Sequence, residues 1–429
     1  MRTVKFTVEN NICVSCGICK GICPRGCIDM VEKDGNYIPA IGGTCIHCGL
    51  CFTVCPGKGM IREESDGLET DDLIGSYQRI VNAWSRDEQI RHYGASGGVT
   101  TTIIRQLLKD QLYDEAFVVT DCAYDHYVET EMIKAAEADR LIDFRSDLRL
   151  STKSRYIPVG HGMAVKHMLS NPNDRIIFVG TSCAIAGLLN VIRQRKLNRD
   201  NYLFIGLFCD SVMNYHVWDY FGQRRFTRGK KLTGLHFKNK ESGGWPGNIK
   251  MLFSDGGFRY YDKSYRMEIK PYLKPERCNY CVDKLNVRAD ISLGDNYTGS
   301  DASSLGSNTV IIRTEKGVDA WNHCCDYIEQ RETAAKYLIK AQLLEDRAHN
   351  IEYAGLKEKA IKEKTGFSID MNAMGKRGTG ACNIKDYAKR INKISREYSC
   401  SGINRSLIIP HIKRGVKLII KKILRRKSL

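Results

Sequence analysis

The sequence lacks a long uncharged apolar run of the kind that spans a membrane. Its longest uncharged stretch, residues 176–192, contains glycine, threonine, serine and asparagine, and it is typical of a buried strand, a turn and a helix. The first residues also lack a basic segment followed by an apolar stretch and a cleavage site, so we expect no secretory signal. Both absences favour a protein of the reducing cytoplasm.

Balanced charge over most of the chain is a second feature. The net charge is +17, but residues 384–429 carry 14 Lys and Arg against two acidic residues and therefore account for +12 of it. The remaining residues are close to balanced for their number. The protein is therefore an ordinary globular chain with a basic tail.

The tail itself, residues 407–427, predicts a basic amphipathic helix after Pro410. Its apolar side comprises Ile412, Val416, Ile419, Ile420, Ile423 and Leu424, and its basic side Lys413, Arg414, Lys417, Lys421 and Arg425. Such a helix fits an anionic membrane surface, a partner protein or the protein's own core, and the sequence leaves these alternatives open. No aromatic residues interleave with its charges, so we expect no nucleic-acid binding.

Cysteine is abundant, and its clustering is specific. Residues 13–24 read CVSCGICKGICP and residues 45–56 read CIHCGLCFTVCP, so both carry the spacing C-x2-C-x2-C-x3-C-P. Each cysteine recurs 32 positions later, which makes the two motifs an internal repeat. In a large chain without a signal, this clustering favours metal ligation over disulfides.

The spacing predicts two 4Fe-4S clusters in an α+β ferredoxin-like domain over residues 1–65. Three closely spaced thiolates wrap one cluster, and the fourth cysteine of each motif ligates the other cluster. The predicted ligand sets are Cys13, Cys16, Cys19 and Cys55, and Cys45, Cys48, Cys51 and Cys23. We expect two strands around Asp34-Gly35, a spare buried thiol at Cys27 and an exposed His47. Two zinc sites are the alternative, although zinc more often uses separated C-x2-C pairs.

The middle of the chain has alternating helix and strand patterns. GGVTTTIIRQLLKDQL predicts a glycine turn and a helix, and EAFVVT, RIIFVG and NYLFIGLFCD predict buried strands. Such α/β folds bind ligands at the carboxyl ends of their strands. Four more cysteines stand at strand ends or in a C-x2-C pair: Cys183, Cys209, Cys278 and Cys281. Their spacing alone leaves a third metal site and separate packed thiols equally open, with Cys122 as a substitute ligand.

Several segments together resemble one family. GASGGVTT, STKSRY, VGTSCAIAGLL, GLFCD, FKNKESGGWPGN, RCNYCVDKLNVRADISLGD and GSNTVIIRTEKG follow the order found in the beta subunits of coenzyme F(420) hydrogenases and dehydrogenases. That family includes formate dehydrogenase beta subunits and the plant hydroxymethyl chlorophyll a reductase. The resemblance covers roughly residues 90–315. Ser182 and Ala184 stand where the family often has Pro and Gln, which leaves the substrate undetermined.

The resemblance implies a larger α/β flavin-binding domain over residues 85–330. Residues implied to lie against FAD are Ser96, Gly97, Gly98, Thr100, Lys153, Ser154 and Tyr156. Cys183, Cys209, Cys278 and Cys281 become a coherent ligand set for a third 4Fe-4S cluster. Lys238, Lys240 and Trp245 would hold an anionic substrate, or their loop would be a solvated hairpin. Asp283 and Tyr156 are the candidate proton-transfer groups.

The implied function is that of an iron–sulfur flavoprotein oxidoreductase. Electrons would pass between the 4Fe-4S clusters and FAD, which exchanges hydride with coenzyme F(420) or another small organic substrate. A ferredoxin or another redox protein would be the partner. The alternatives are a non-catalytic electron-transfer subunit and a zinc-stabilised interaction protein. Residues 331–429 would form a helical C-terminal region, and the protein would be cytoplasmic, on the inner face of the membrane if the tail binds lipid.

Overall fold

The computed structural model describes residues 1–59, 69–120, 123–143, 154–347, 349–371 and 400–407. Residues 408–427 of the predicted amphipathic tail, Cys122 and Lys153 lie outside the described residues. Among the helices within these ranges, none is both long and apolar enough to cross a membrane.

In the middle of the chain, between α5 and β9 in the numbering below, strands and helices largely alternate, as the sequence patterns predict. In chain order the strands are β1 (Ile28–Lys33), β2 (Asn36–Ile41), β3 (Glu69–Asp71), β4 (Gly75–Tyr77), β5 (Arg79–Ser85), β6 (Glu115–Val118), β7 (Glu131–Lys134), β8 (Ile176–Gly180), β9 (Tyr202–Leu207), β10 (Leu232–Asn239), β11 (Asn248–Phe253), β12 (Phe258–Tyr261), β13 (Ile291–Asp295), β14 (Asn308–Ile312) and β15 (Ile328–Glu332). The helices are α1 (Lys5–Glu9), α2 (Ile18–Ile22), α3 (Leu50–Thr53), α4 (Glu88–Tyr93), α5 (Val99–Lys109), α6 (Gly162–Ser170), α7 (Ser182–Arg195), α8 (His216–Gly222), α9 (Arg224–Thr227), α10 (Ser264–Leu273), α11 (Glu315–Cys324), α12 (Ala335–Ala341), α13 (Leu344–Arg347), α14 (His349–Thr365) and α15 (Cys400–Ser406). Short 3-10 helices add Pro56–Lys58, Ala135–Ile142, Arg199–Asn201, Glu276–Tyr280 and Cys325–Tyr327.

The two cysteine motifs fold alike. Helices α2 and α3 each start after a left-handed glycine, Gly17 with φ 66° and Gly49 with φ 77°. Between them β1 and β2 pair antiparallel, with Lys33 opposite Asn36, which confirms the predicted turn at Asp34-Gly35. In each motif the third cysteine lies within the short helix, and the fourth cysteine follows it.

A mixed sheet of eight strands forms the centre of the protein, in the order β15-β5-β14-β13-β9-β8-β6-β7. Strands β6, β8, β9 and β13 run parallel to one another. Alternate residues of β8 face opposite sides: Phe178 packs with Val165 and Leu188, and Ile177 packs with Ile103 and Trp321. Helices α6 and α7 therefore cover one face, and α5 and α11 cover the other.

The N-terminal unit shares a hydrophobic core with this sheet. Ile18 and Val54 belong to the same buried cluster as Val165 and Leu188. Gly21 lies so close to α6 that an added Cβ would be 2.4 Å from the Gly162 carbonyl oxygen. The unit is therefore packed firmly on the α6–α7 face rather than held by a linker.

Two further layers surround the sheet. Strands β10, β11 and β12 form a second antiparallel sheet over its own aromatic core. On the other side, Tyr353 and Ile361 of α14 pack against Ile12 of the N-terminal unit and Tyr280 of the 3-10 helix Glu276–Tyr280. Helix α14 thus covers the junction between the N-terminal motifs and the loop that carries Cys278 and Cys281.

Candidate functional site

The first predicted ligand set comes together across the repeat. Cys55, from the second motif, lies close enough to Cys13, Cys16 and Cys19 for their charges to interact. Burial, together with the Cys55 charge, raises the pKa of Cys13 to about 12. A thiolate in such surroundings needs a cation beside it, and four converging thiols of this kind fit a metal cluster.

The second set lines one cavity near the start of the chain. Cys23, Cys45, Cys48 and Cys51 border it, together with Cys27. Cys27 is partly exposed, and its Sγ atom lies 3.5 Å from that of Cys23, so the prediction of a buried thiol there is wrong. His47 is exposed, as predicted.

Backbone N–H groups support the first cysteine of each motif in the same way. The Ser15 amide donates to Cys13 Sγ at 3.4 Å, and the His47 amide donates to Cys45 Sγ at 3.4 Å. Both donors come from residues with left-handed φ angles of 56° and 51°. Such N–H···S contacts stabilise negative charge on sulfur. The two motifs therefore share this electrostatic feature as well as their cysteine spacing.

The third set converges at the carboxyl edge of the sheet. Cys183 follows β8, Cys209 follows the neighbouring parallel strand β9, and Cys278 and Cys281 belong to the loop after α10. The charges of these four thiols interact with one another. Burial raises the pKa values of Cys209 and Cys278, and it raises the pKa of Cys183 to about 12. The donor set is chemically suited to a four-iron cluster.

Basic side chains surround this third set. The Arg347 guanidinium is buried, interacts with Cys281 and Cys209, and donates from Nη1 to the Asp210 carbonyl oxygen at 2.8 Å. Burial would raise the pKa of Asp210, but Lys270 and Arg347 hold it well below its usual range. Positive charge next to a cluster favours the reduced, more negative state.

The first and third sets are neighbours. The Cys16 thiol is close enough to interact with the charge of Cys183. Arg277 lies between them: its Nε donates to the Gly57 carbonyl oxygen at 3.1 Å, and it interacts with Cys183 and Cys278. Cys19 of the first set is also close enough to interact with the charge of Cys51 of the second set, so the first set adjoins both of the others.

A buried ionic pocket lies at the same edge of the sheet, and Asp295 is its centre. The Asp295 carboxylate, at the end of β13, forms an ion pair with Lys238. It also accepts from Trp245 Nε1 at 3.3 Å and from the Tyr297 hydroxyl at 3.0 Å. The Trp245 and Tyr297 rings lie 5.3 Å apart and remain partly exposed above the pair. A carboxylate with this many donors fixes the positions of all of them.

Protonation of the pair is set by mutual attraction rather than by burial. Burial alone would lower the pKa of Lys238, but Asp295, Tyr156 and Tyr297 raise it above its ordinary value. Burial alone would raise the pKa of Asp295, but Lys238 and the hydrogen bonds hold it below its ordinary value. The pocket therefore keeps a full ammonium next to two tyrosines at neutral pH.

Two of the predicted cofactor residues border this pocket. The Ser96 hydroxyl donates to the Ser307 carbonyl oxygen at 2.7 Å, and it lies close enough to Asp295 to help lower the pKa of that carboxyl. Tyr156 interacts with Lys238, and the Arg266 guanidinium lies 4.1 Å above its ring. Ser154 is half-buried two residues before Tyr156.

The glycine turn has a packing role as well. An added Cβ at Gly97 would be 2.7 Å from Asn308 Oδ1, and one at Gly98, with φ 80°, would be 2.9 Å from Ile90. Thr100 is half-buried in the first turn of α5. The Asn308 Oδ1 atom is buried without a hydrogen-bond partner among the described residues, so an acceptor is available beside the turn for a bound polar ligand.

Three sequence interpretations need correction. The Lys240 ammonium contacts the main-chain oxygens of Arg91 in α4, Ser96 in the glycine turn and Leu305 in the loop before β14, so it joins these segments and is not a substrate contact. Because Lys238 and Lys240 are both buried, the alternative of a solvated hairpin is wrong too. The Asp283 carboxylate accepts from the Val287 amide at 3.1 Å and faces Arg288, so it stabilises its own loop and does not reach the pocket.

Tyr297, Arg277 and Arg347 were missed by the sequence analysis. Arg277 directly precedes the C-x2-C pair, and Tyr297 and Arg347 lie outside the quoted segments. In all three cases only the contacts reveal the role of the residue. The Gly294-Asp295 pair was noticed as part of a motif, but two donors to the Asp295 carboxylate, Lys238 and Trp245, lie 57 and 50 positions away in the chain.

Comparison with known proteins gives consistent matches. The family model for the N-terminal part of the coenzyme F(420) hydrogenase/dehydrogenase beta subunit matches residues 80–166, and the model for its C terminus matches residues 173–336. The chain is 24% identical over 410 residues to a coenzyme F(420)-dependent sulfite reductase from Methanocaldococcus jannaschii, covering 89% of this chain and 56% of that protein. It is 24% identical over 258 residues to a coenzyme F(420) hydrogenase subunit beta from Methanococcus voltae, covering 57% of this chain and 80% of that protein.

A solved structure is similar at lower identity. It belongs to the xenon-derivatised F(420)-reducing [NiFe] hydrogenase complex from Methanosarcina barkeri, with a TM-score of 0.49 and 17% identity. The similarity covers 73% of this chain and 100% of that one. The chain thus spans little more than half the length of the sulfite reductase and most of the length of the hydrogenase subunit.

Proposed function

Because this chain belongs to the coenzyme F(420) hydrogenase/dehydrogenase beta subunit family, we propose that it is an iron–sulfur flavoprotein oxidoreductase. Its three cysteine sets would hold 4Fe-4S clusters, and it would pass electrons between them and FAD. The hydride partner would be coenzyme F(420) or a similar small organic substrate, since both curated relatives are named for that coenzyme. A redox protein would exchange single electrons with the second cysteine set.

The observation that carries the proposal is the position of the third cysteine set. It lies at the carboxyl edge of the sheet, and its Cys183 thiol is close enough to Cys16 of the first set for their charges to interact. The Asp295 pocket lies at the same edge, one parallel strand beyond Cys209. This arrangement supports an electron path from the N-terminal sets into the α/β domain.

FAD would supply the conversion between one-electron and hydride chemistry. The residues proposed to hold it are Ser96, Gly97, Gly98, Thr100, Ser154 and Tyr156, with Lys153 from the segment outside the described residues. The start of α5 offers free backbone N–H groups to a phosphate, and Asn308 Oδ1 offers an acceptor to a ring N–H.

The Asp295 pocket would receive the organic substrate. Lys238 supplies positive charge for an anionic group, while the half-buried Trp245 and Tyr297 rings supply a surface on which a flat ring stacks. Asp295 holds these side chains in place and keeps Lys238 protonated. The pocket therefore suits a planar, negatively charged molecule.

Anaerobic reconstitution tests the proposal. With iron, sulfide and flavin counted per chain, three four-iron clusters correspond to about 12 iron atoms, and the N-terminal pair alone to about 8. We expect about 12 with one FAD in the unaltered protein, and about 8 in Cys209→Ser. The control is Cys325→Ser, whose partly exposed thiol lies outside all three sets.

The opposing outcomes are specific. Clusters without bound flavin would favour the electron-transfer subunit and contradict the enzyme proposal. Zinc without acid-labile sulfide would contradict both. Full iron content in Cys209→Ser would contradict the proposed third cluster, of which Cys209 is a ligand.

A further inference from the structure

A second group of metal-ligating side chains lies at the opposite edge of the sheet. It comprises Glu115, the first residue of β6, His167 in α6 and Asp174 in the turn before β8. One ligand atom from each lies within 4.8 Å of the other two. None of the three belongs to the cysteine sets or to the Asp295 pocket.

The contacts within this group do not form ordinary hydrogen bonds. His167 Nε2 lies 3.3 Å from Asp174 Oδ2 and also contacts Glu115 Oε2. Both Nε2 and Oε2 are buried, and neither has a hydrogen bond of normal geometry to any described residue. The Glu115 side chain is nine-tenths buried. One imidazole nitrogen therefore faces two carboxylate oxygens, although it carries at most one hydrogen.

We propose that Glu115, His167 and Asp174 bind one divalent first-row transition-metal cation. A cation between the three atoms would accept the Nε2 lone pair and neutralise both carboxylates, which removes the conflict just described. One nitrogen and two carboxylate oxygens are an open ligand set, and the partly exposed Asp174 leaves room for water to complete it.

Asn171 borders the group. Its Nδ2 atom lies 3.3 Å from His167 Nδ1 and donates to the His167 main-chain oxygen at 3.3 Å.

The site has a structural consequence. It would join α6 to the amino edge of the sheet, and α6 is the helix on which the N-terminal unit packs through Gly21 and Gly162. Metal binding would therefore stabilise the position of α6, the helix on which the N-terminal unit packs. The metal itself would take no part in electron transfer.

The test is Mn²⁺ binding to the reconstituted full-length protein, followed by electron paramagnetic resonance with the clusters oxidised. We expect one bound Mn²⁺ per chain, lost in His167→Asn and in Asp174→Asn. The partly exposed Asp174 makes the second variant the safer one for folding.

The matched control is His323→Asn. His323 Nε2 lies 2.6 Å from Asp110 Oδ2 in a normal hydrogen bond with a single carboxylate, so its loss should leave Mn²⁺ binding unchanged. Absence of Mn²⁺ binding by the unaltered protein would overturn the proposal. Equal binding by the folded Asp174→Asn variant would overturn it too, and would leave a protonated His167 between two carboxylates as the explanation. Neither result depends on the flavin or the cysteine sets.

Discussion

The Arg277 Nε atom donates a hydrogen bond to the carbonyl oxygen of Gly57 at 3.1 Å. Gly57 follows Cys55 of the first cysteine set by two residues, and Arg277 directly precedes Cys278 of the third set. One buried side chain therefore connects the two sets and sits among their charges. The contact therefore helps to hold the N-terminal unit against the α/β domain.

Replacing Arg277 by Met should weaken this junction. The Gly57 oxygen would be left buried without its donor, which costs about 1–3 kcal/mol of unfolding free energy. The measurement is the thermal unfolding of the reconstituted protein. The control is Arg105→Met, which removes an exposed pair with Asp139 and should cost less than about 1 kcal/mol. Equal losses in both variants would mean that the Arg277 contact adds no specific stability.

The Lys238–Asp295 pair should behave as one unit. Asp295→Asn leaves a buried ammonium unpaired, and Lys238→Met leaves a buried carboxylate unpaired, so each should destabilise the fold by about 3–5 kcal/mol. The double variant should lose much less than the sum of the two, which a double-mutant cycle measures. Strict additivity would contradict the pairing.

Docking of the β1–β2 hairpin should depend on pH through His216. Its ring contacts Asp34 of the hairpin turn at 3.2 Å and Asp219 of α8 at 2.8 Å. Burial would lower its pKa, but the two carboxylates raise it above 6.5. Because the folded pKa is raised, the stabilisation is complete below the unfolded pKa and is lost as pH rises through the folded pKa.

Hydrogen exchange of the hairpin amides is the measurement for this prediction. We expect faster exchange above the folded pKa than at pH 6 in the unaltered protein, beyond the intrinsic rate increase. His216→Gln should show no such difference, and His47→Gln, at an exposed position, should behave as the unaltered protein does. An unchanged pH dependence in His216→Gln would exclude this histidine as the cause.

Arg347 should set the reduction potential of the third cluster. Arg347→Gln removes a positive charge beside Cys281 and Cys209, which disfavours the reduced state. We expect a potential more negative by on the order of 60 mV, a tenfold change in a one-electron equilibrium. A redox titration followed by electron paramagnetic resonance measures it. Arg331→Gln, at an exposed surface pair, should cause no shift.

Local pattern was enough to predict much of the fold. The helix over Val99–Lys109 and the strand over Ile176–Gly180 follow directly from apolar periodicity and glycine turns. The grouping of Cys55 with Cys13, Cys16 and Cys19 follows from motif spacing, and the structure brings these thiols together.

Long-range contacts were beyond the reach of the sequence. For Lys240 the sequence left a substrate contact and a solvated hairpin open, and no local signal indicates that three distant carbonyl groups surround it. The same reasoning applies to Arg347, whose cysteine neighbours are more than 60 positions away. Isolated charged residues reveal their roles only when packing is known.

The central claim is that electrons pass between the flavin and the N-terminal clusters through the third cluster. The most direct measurement adds reduced coenzyme F(420) anaerobically to reconstituted unaltered protein and to Cys209→Ser, with flavin absorbance and low-temperature electron paramagnetic resonance recorded together. The account predicts flavin bleaching in both proteins and signals of reduced N-terminal clusters in the unaltered protein alone. Equal cluster reduction in Cys209→Ser, or no bleaching in either protein, would contradict it.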